Sequence, residues 1–221
     1  MDIRRNTIAA ALSMIVMTVV LGIAYPLAIT GISQVTFPGN ANGQQVHRAG
    51  RLVGSKLIGQ NFGTAVLEKN GKPKEVKGAV VTEPDPRYFQ TRPSATEGGA
   101  DNAASSTFSN LGPNSIKAEE GDAERIKEYL ALNKPYDPTL TVAGIPVDAI
   151  NTSASGFDPE ISVANADVQA HRIAAVRRLS FSRVTELIAK YTSDRSLGIF
   201  GESGVNVLEL NLALARMSGG R

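Results

Sequence analysis

The sequence predicts a mixed α/β protein, with one N-terminal transmembrane helix followed by a single mixed α/β soluble domain. A long uncharged apolar run opens the chain, short β-prone pieces broken by glycine follow it, and helical periodicity dominates the second half. The predicted division is a cytoplasmic tip with the anchor at 1–34, a linker at 35–50, the soluble domain at 51–217 and a tail at 218–221.

The apolar run is long enough to cross a membrane. No Asp, Glu, Lys, Arg or His occurs between Asn6 and Val46. Residues 8–32 would form a helix of about 37 Å, which exceeds the ~30 Å hydrocarbon core of a bilayer. The apolar core of a secretory signal has only ~7–15 residues, so the length favours a retained anchor. A cleaved signal, processed near Ala24, is the alternative.

Flanking charges predict the orientation of this anchor. Arg4 and Arg5 precede the run, and the next charged or titratable side chains on the other side are His47 and Arg48. Basic residues close to a span stay in the cytoplasm, so the soluble domain is expected on the far side of the membrane. Within the run, Gly22 and Pro26 mark where a partner helix could approach; a plain lipid-facing anchor is the alternative.

The region after the anchor contains turns and short strand-like pieces. A polar linker at 38–45 predicts a turn, and the strand-like pieces lie at 52–58, 65–67 and 78–81. Asn70-Gly71 is a dipeptide typical of hairpins. Residues 82–115 lack periodicity and are predicted as a long ordered loop or insertion.

Helices are predicted further along the chain. Residues 122–132 form an amphipathic stretch that ends before Pro135, and Ser162 can cap a helix running to about Arg178. Residues 184–191 have helical spacing, with Ser180 or Ser182 as the cap. The stretch 205–217 partly alternates, but its leucine content favours a helix slightly over a strand.

Composition and motifs exclude several functions. The net charge is only +2, so no electrostatic footprint for nucleic acid exists, and the absence of cysteine excludes thiolate chemistry and cysteine-bound metals. The two histidines lack the spacing of a zinc site. Neither a GxSxG nor a GxxxxGK[ST] motif occurs. We therefore expect no catalytic residue and no metal ligand.

Two polar loops are candidate interfaces. The first, YFQTRPSA at 88–95, contains Tyr88, Phe89 and Arg92, and the second, SNLGP at 109–113, contains Asn110. Aromatic residues and arginine are enriched among interface anchors. The alternative for the first loop is a structural turn whose arginine and glutamine bind the backbone.

Five strings in order make the chain similar to a known family. They are GSKLIGQ at 54–60, YFQTRPSA at 88–95, SNLGP at 109–113, TSASGFDP at 152–159 and VNVLELNLAL at 205–214. With the N-terminal anchor, they resemble the C subunit of the bacterial Kdp high-affinity potassium-transporting P-type ATPase, the KdpC family. The resemblance covers nearly the whole chain.

The resemblance implies a non-catalytic subunit of an ATP-driven potassium import complex. Members of that family lie in the inner membrane with a periplasmic domain. They assemble with a channel-like A subunit, an ATP-hydrolysing B subunit and a small F subunit, and act as catalytic chaperones that raise ATP affinity. Gln169 and Arg172 match the segment tied to this nucleotide effect, with ATP as the cofactor, although His171 stands where the family usually has proline.

The predicted orientation conflicts with direct ATP contact, because ATP is cytoplasmic and Gln169 would lie outside. Assembly with indirect coupling to the ATP-binding state is therefore the preferred mechanism. The alternative function is a membrane-anchored periplasmic solute-binding module or enzyme. Its pocket would be lined by Gln90, Arg92, Asn110 and Asp158.

Overall fold

The computed structural model describes residues 2–76, 79–96 and 104–218. The chain forms two compact units, Met1–Val53 and Gly54–Arg221. The mixed α/β class with one N-terminal apolar helix is confirmed. The predicted strand at 78–81 begins at Gly78, which lies outside the described residues.

The N-terminal unit is dominated by one continuous helical run, Ile3–Thr36. It consists of α1 (Ile3–Met17), a π-helical stretch (Thr18–Ala24) and α2 (Tyr25–Thr36). The π-helical stretch ends two residues before Pro26, whose missing N–H and ring disturb regular α-helical bonding. Within the described residues, this run is the one helix long and apolar enough to cross a membrane, and none of its apolar window is buried.

The predicted linker contains a short helix and a strand. Helix α3 (Pro38–Ala41) starts with a proline, whose fixed φ suits the first helical position. Strand β1 (Gln45–Arg48) then pairs with β2 (Arg51–Ser55).

Two small antiparallel pairs lie early in the second unit. Strand β3 (Gly63–Ala65) pairs with β6 (Thr82–Pro84), and β4 (Glu75–Val76) pairs with β5 (Ala79–Val80). The hairpin predicted at Asn70-Gly71 is confirmed, because Leu67 and Pro73 form an antiparallel bridge around it. Gly71 has φ +79°, a conformation that favours glycine.

The central sheet comes from the second half of the chain. It contains β7 (Glu160–Ser162), β8 (Thr192–Ser193) and β9 (Gly204–Asn206), in the antiparallel order β7-β9-β8. The prediction that strands lie early and helices late is wrong in this respect. Strands of two or three residues are too short to produce a recognisable alternation. The ambiguous stretch 205–217 contains the end of β9 and then a helix.

Four helices accompany this sheet: α4 (Ile116–Asn133), α5 (Val163–Arg177), α6 (Phe181–Lys190) and α7 (Val207–Ser218). The predicted caps are confirmed, because the Oγ atoms of Ser162 and Ser180 accept hydrogen bonds from the third residue beyond them, at 3.1 and 3.3 Å. Helix α4 begins six residues before the predicted start at 122. The prediction missed these residues because they are mostly polar and show no apolar periodicity.

The main core lies between α5, α6, α7 and the central sheet. Its largest apolar members are Phe89, Ile161, Ile173, Val184, Ile188, Val205, Val207, Leu210 and Leu214. A smaller cluster joins Leu140, Ile145 and Ala149 to the apolar face of α4. The core is aliphatic apart from Phe89, which belongs to a segment without helix or strand.

Candidate functional site

The segment 85–92, called here the clamped segment, has no regular secondary structure and enters the interior at Asp85 and Phe89, while Pro86 and Arg87 are exposed. Asp85 is buried, and Phe89 has no exposed surface. Buried peptide groups need hydrogen-bond partners, which a strand would find in a neighbouring strand. Here side chains from α5 and α7 supply them.

Two buried carboxamides each hold one residue of this segment at two points. The Phe89 N–H donates to Asn211 Oδ1 at 2.9 Å, and Asn211 Nδ2 donates to the Phe89 carbonyl at 2.9 Å. The Gln90 N–H donates to Gln169 Oε1 at 2.7 Å, and Gln169 Nε2 donates to the Gln90 carbonyl at 3.1 Å. Each side chain thus replaces the two bonds that a β ladder would supply.

Gln169 uses its full hydrogen-bonding capacity inside the protein. Its Oε1 atom also accepts from Arg172 Nη2 at 2.8 Å, and its Nε2 atom also donates to Asn165 Oδ1 at 3.0 Å. A carboxamide has two donor hydrogens and two acceptor lone pairs, so these bonds, with the two to Gln90, complete its set. The side chain is buried, and it has no unused donor or acceptor for an external ligand.

Arg172 is fully buried beside Gln169. Its Nη1 atom donates to the carbonyls of Pro86 and Tyr88, and its Nε atom donates to Asn133 Oδ1 at 3.0 Å. Arg172 takes part in none of the ion pairs among the described residues, so carbonyl and amide oxygens stabilise its guanidinium. Burial lowers the pKa of Arg172 to about 10, which still leaves it charged at neutral pH.

A second layer of polar contacts orients α5. Asp148 Oδ2 accepts from the Ser162 N–H at 2.8 Å and from Asn165 Nδ2 at 3.0 Å. The Tyr129 hydroxyl donates to Asn165 Oδ1 at 2.9 Å, and burial raises the pKa of this phenol well above its usual range. These contacts tie α4 to the start of α5 and so fix where Gln169 and Arg172 point.

The end of the clamped segment pairs with the string at 152–159. Arg92 Nη1 lies 2.9 Å from Asp158 Oδ2, and Ser155 Oγ donates to Asp158 Oδ1 at 2.9 Å. Gly156 lies at the same contact with φ +88°, and a Cβ atom there would lie only 2.8 Å from the Thr107 carbonyl oxygen. The close approach of these two segments of the chain therefore requires glycine at 156.

The string at 54–60 joins the same assembly. The Gly59 N–H donates to the Phe157 carbonyl at 2.8 Å, and Asn206 Nδ2 donates to the Lys56 carbonyl at 2.9 Å. Lys56 Nζ also lies 2.7 Å from a Glu209 carboxylate oxygen. Four of the five strings therefore meet in one body, although up to 150 residues separate the bonded partners.

The string at 109–113 has a different environment. Asn110 is exposed with φ +55°, and its Nδ2 atom donates to the Phe108 carbonyl at 3.2 Å. Phe108 and Leu111 are also exposed.

The other predicted interface residues lie in several environments. Tyr88 is half-buried, with the guanidinium carbon of Arg177 4.8 Å from its ring centroid. Phe89 has no surface to offer unless the core opens. Gly22 and Pro26 are exposed on the anchor. The interface roles of these four residues, and those of Arg92 and Asn110, stay predictions. The structural interpretation of the first loop also has support, since Gln90 Nε2 donates to the carbonyls of Phe62, Asp85 and Tyr88.

The pocket suggested for the alternative function is not assembled by these contacts. Arg92 and Asp158 neutralise each other, and the Gln90 side chain is directed at peptide carbonyls. Within the described part of the chain, Asn110 makes its hydrogen bond to Phe108 and to none of the other three. The described residues also contain no group of three or more His, Cys, Asp or Glu that could hold a metal ion.

Sequence reasoning missed the partners that hold the clamped segment. Asn211, Asn165, Asn133 and Asp148 were not singled out, yet all four orient the site. One pattern could have pointed to Asn211. It interrupts an otherwise leucine-rich helix, where a polar side chain at a core position needs a buried partner.

A comparison with protein families agrees with this arrangement of strings. The family model described as KdpC, K+-transporting ATPase, c chain, matches residues 7–216. The chain belongs to the KdpC family.

Relatives support the same assignment over nearly the full length. A Mycobacterium tuberculosis protein named potassium-transporting ATPase KdpC subunit is 42% identical over 214 residues, covering 97% of this chain and 100% of the relative. Proteins with the same name from Koribacter versatilis and Streptomyces coelicolor are 39% and 37% identical over 211 and 212 residues. These alignments cover 96% and 93% of this chain and 94% and 89% of the relatives.

Membership of the KdpC family makes the chain a subunit of a potassium-transporting ATPase complex. Other Kdp subunits are therefore its implied partners. The candidate transmembrane helix at Ile3–Thr36 fits a membrane-associated subunit.

Proposed function

We propose that this KdpC-family chain is a non-catalytic accessory subunit of an ATP-driven, high-affinity potassium importer. It assembles with a channel-like A subunit, an ATP-hydrolysing B subunit and a small F subunit. Within that complex it raises the affinity of the B subunit for ATP, as a catalytic chaperone. Family membership and the candidate anchor support this assignment.

The burial of Gln169 and Arg172 favours an indirect effect on ATP. Both side chains are enclosed, and their polar atoms are bound to the clamped segment and to neighbouring amides. A phosphate group that reached them would have to break these bonds and open the core. We assign both residues to shaping the clamped segment, and direct contact of either with ATP is the competing mechanism.

The flanking charges support the same choice. Arg4 and Arg5 favour a cytoplasmic N-terminus, with the soluble domain on the periplasmic side of the inner membrane. ATP is cytoplasmic, so the domain would act from the opposite side. It would stabilise the arrangement of the A and B subunits that binds ATP more tightly, which shifts the population toward that state.

Reconstitution of the complex tests this function. Cells that lack their own C subunit are supplied with this chain and its A, B and F subunits, and growth is followed at low potassium. The purified complex with the chain should hydrolyse ATP with an apparent KM about tenfold lower than the complex without it, which corresponds to a coupling of about 1.4 kcal/mol. Equal growth and equal KM without the chain would contradict the proposal.

Thiol labelling tests the orientation, because the natural chain contains no cysteine. Asn151→Cys introduces a thiol at an exposed position of the soluble domain, and Asp2→Cys introduces one at the N-terminus. A membrane-impermeant maleimide should label the first variant in spheroplasts and the second only after lysis. The reverse pattern would place the domain in the cytoplasm and remove the main objection to direct ATP contact.

A further inference from the structure

The loop between β8 and β9 presents three large apolar side chains to solvent. Leu197 is 89% exposed, Ile199 70% and Phe200 61%. Val205, a few residues further on in β9, is fully buried in the core. Among the described residues of the domain, none covers these three apolar side chains.

This loop, residues 194–203, is a hairpin closed by backbone hydrogen bonds. Ser196 and Phe200 exchange two backbone hydrogen bonds, both 2.9 Å long. At its base, Arg195 Nη2 donates to both carboxylate oxygens of Glu202, at 2.8 and 2.7 Å. The flanking strands β8 and β9 pair with Ser193 opposite Gly204. The hairpin therefore extends the central sheet and is fixed to it.

The tip holds a side chain outward in an unfavourable backbone conformation. Leu197 has φ +55°, in the left-handed region that non-glycine residues rarely adopt, and Gly198 follows with φ +77°. Leu197 gains no burial in return. A strained residue that displays an apolar side chain is typical of a contact site for another molecule.

The charges of the hairpin favour a protein partner over lipid. Arg195 is its one cation and is paired with Glu202, which leaves Asp194 as the excess charge. Segments that bind membrane surfaces usually combine apolar side chains with free lysine or arginine and with tryptophan or tyrosine. Residues 194–203, all described, contain no lysine, tryptophan or tyrosine.

We propose that the hairpin 194–203 docks into an apolar recess on another protein subunit of the potassium-transport complex, with Leu197, Ile199 and Phe200 as the inserted side chains. Phe200 is the aromatic anchor, and the two backbone hydrogen bonds between Ser196 and Phe200 hold the tip in one conformation, which reduces the conformational entropy lost on docking. This docking site rests on the proposed assembly with other subunits.

A single-site fluorescent reporter distinguishes the possible occupants. Ile199→Cys is labelled with an environment-sensitive dye in the otherwise cysteine-free chain, and Val147→Cys serves as the control because its native residue is 68% exposed. Emission is recorded for the full chain alone in vesicles of phosphatidylethanolamine and phosphatidylglycerol, and again after assembly with the other subunits. A blue shift at 199 that appears only on assembly supports the proposal.

The other outcomes overturn it. A blue shift in vesicles without other subunits would mean that the hairpin enters lipid, and no shift in either state would mean that it stays in water. If the unlabelled natural chain does not assemble at all, the proposed function fails instead, so the two failures are distinguishable.

A substitution series measures the contribution of the three side chains. The variant Leu197→Ser/Ile199→Ser/Phe200→Ser should lower the apparent affinity of the chain for the rest of the complex by about tenfold or more. The control Val142→Ser/Val147→Ser removes exposed apolar side chains elsewhere and should leave assembly unchanged. If the triple variant and the control bind the rest of the complex with equal affinity, and both melt at the temperature of the natural chain, the proposal is overturned.

Discussion

Two polar loops of similar composition have opposite fates in this molecule. The loop at 88–95 enters the interior, where Phe89 is fully buried and its peptide groups are bound by Asn211. The loop at 109–113 lies on the surface, where Asn110 Nδ2 donates to the nearby Phe108 carbonyl. The difference comes from distant residues, since Asn211 lies 122 positions from Phe89. A polar string is thus interior only when the rest of the chain supplies its partners.

This difference gives the two loops different physical roles. In the clamped segment, losing one partner leaves buried donors or acceptors unsatisfied, which costs about 1–3 kcal/mol for each group. In the exposed loop, water replaces any lost contact. Substitutions in the loop at 88–95 should therefore change the stability of the fold. Substitutions in the loop at 109–113 should change assembly of the complex if that loop binds a partner.

The largest expected effect is at Arg172. The change Arg172→Met keeps the length of the side chain but removes the donors to Pro86, Tyr88, Asn133 and Gln169. We expect a loss of about 3 kcal/mol or more in the free energy of unfolding. Urea unfolding of the full chain in detergent, followed by circular dichroism, measures it. The exposed Arg183→Met is the control and should stay within about 0.5 kcal/mol.

A smaller effect is expected where the clamped segment meets the string at 152–159. Arg92 and Asp158 are 27% and 33% exposed, so solvent screens their attraction. A double-mutant cycle with Arg92→Ala and Asp158→Asn should give a coupling free energy of about 1 kcal/mol. Additive effects of the two substitutions would mean that the pair does not join these segments.

Acid should weaken the start of the clamped segment. The hydrogen bond from the Arg87 side chain holds the pKa of Asp85 below its usual range. A carboxyl whose folded-state pKa is lowered stabilises the fold above its unfolded pKa of about 4, and this stability is lost as the pH falls through the lower value. Melting temperatures between pH 6 and pH 2 should therefore fall less for Asp85→Asn than for the natural chain. Identical slopes would contradict the role of this pair.

The smallest stability effect is expected in the exposed loop. Asn110 has φ +55°, and glycine adopts this conformation without strain. Asn110→Gly should therefore change the free energy of unfolding by less than about 0.5 kcal/mol while lowering recovery of the assembled complex. Unchanged recovery in a pull-down through a tagged partner subunit would remove this loop from the interface.

The two loops also show what the sequence could and could not predict. The long N-terminal apolar helix, the caps at Ser162 and Ser180 and the hairpin at Asn70-Gly71 depend on local patterns, and all were predicted correctly. The central sheet was missed because its strands have two or three residues each. The clamps were missed because they depend on pairings over long sequence distances, which no local pattern encodes.

The same limit applies to Gln169 and Arg172. The family resemblance picked out both residues, but their burial and their contacts with residues 86–90 appear only in the folded chain. Sequence alone cannot distinguish a residue that touches a ligand from one that holds the segment beside it.

The ATP dependence of assembled complexes tests the central claim most directly. Gln169→Ala and Asn211→Ala each remove one clamp from adjacent residues of the same segment, and the exposed Asn151→Ala is the control. With all complexes assayed below their melting temperatures, the indirect mechanism predicts that both clamp variants raise the KM for ATP, by about threefold or more, while Asn151→Ala does not. A higher KM for Gln169→Ala alone would indicate direct nucleotide contact. An unchanged KM for both clamp variants would mean that the clamped segment has no part in the ATP effect. Either result would contradict the indirect mechanism.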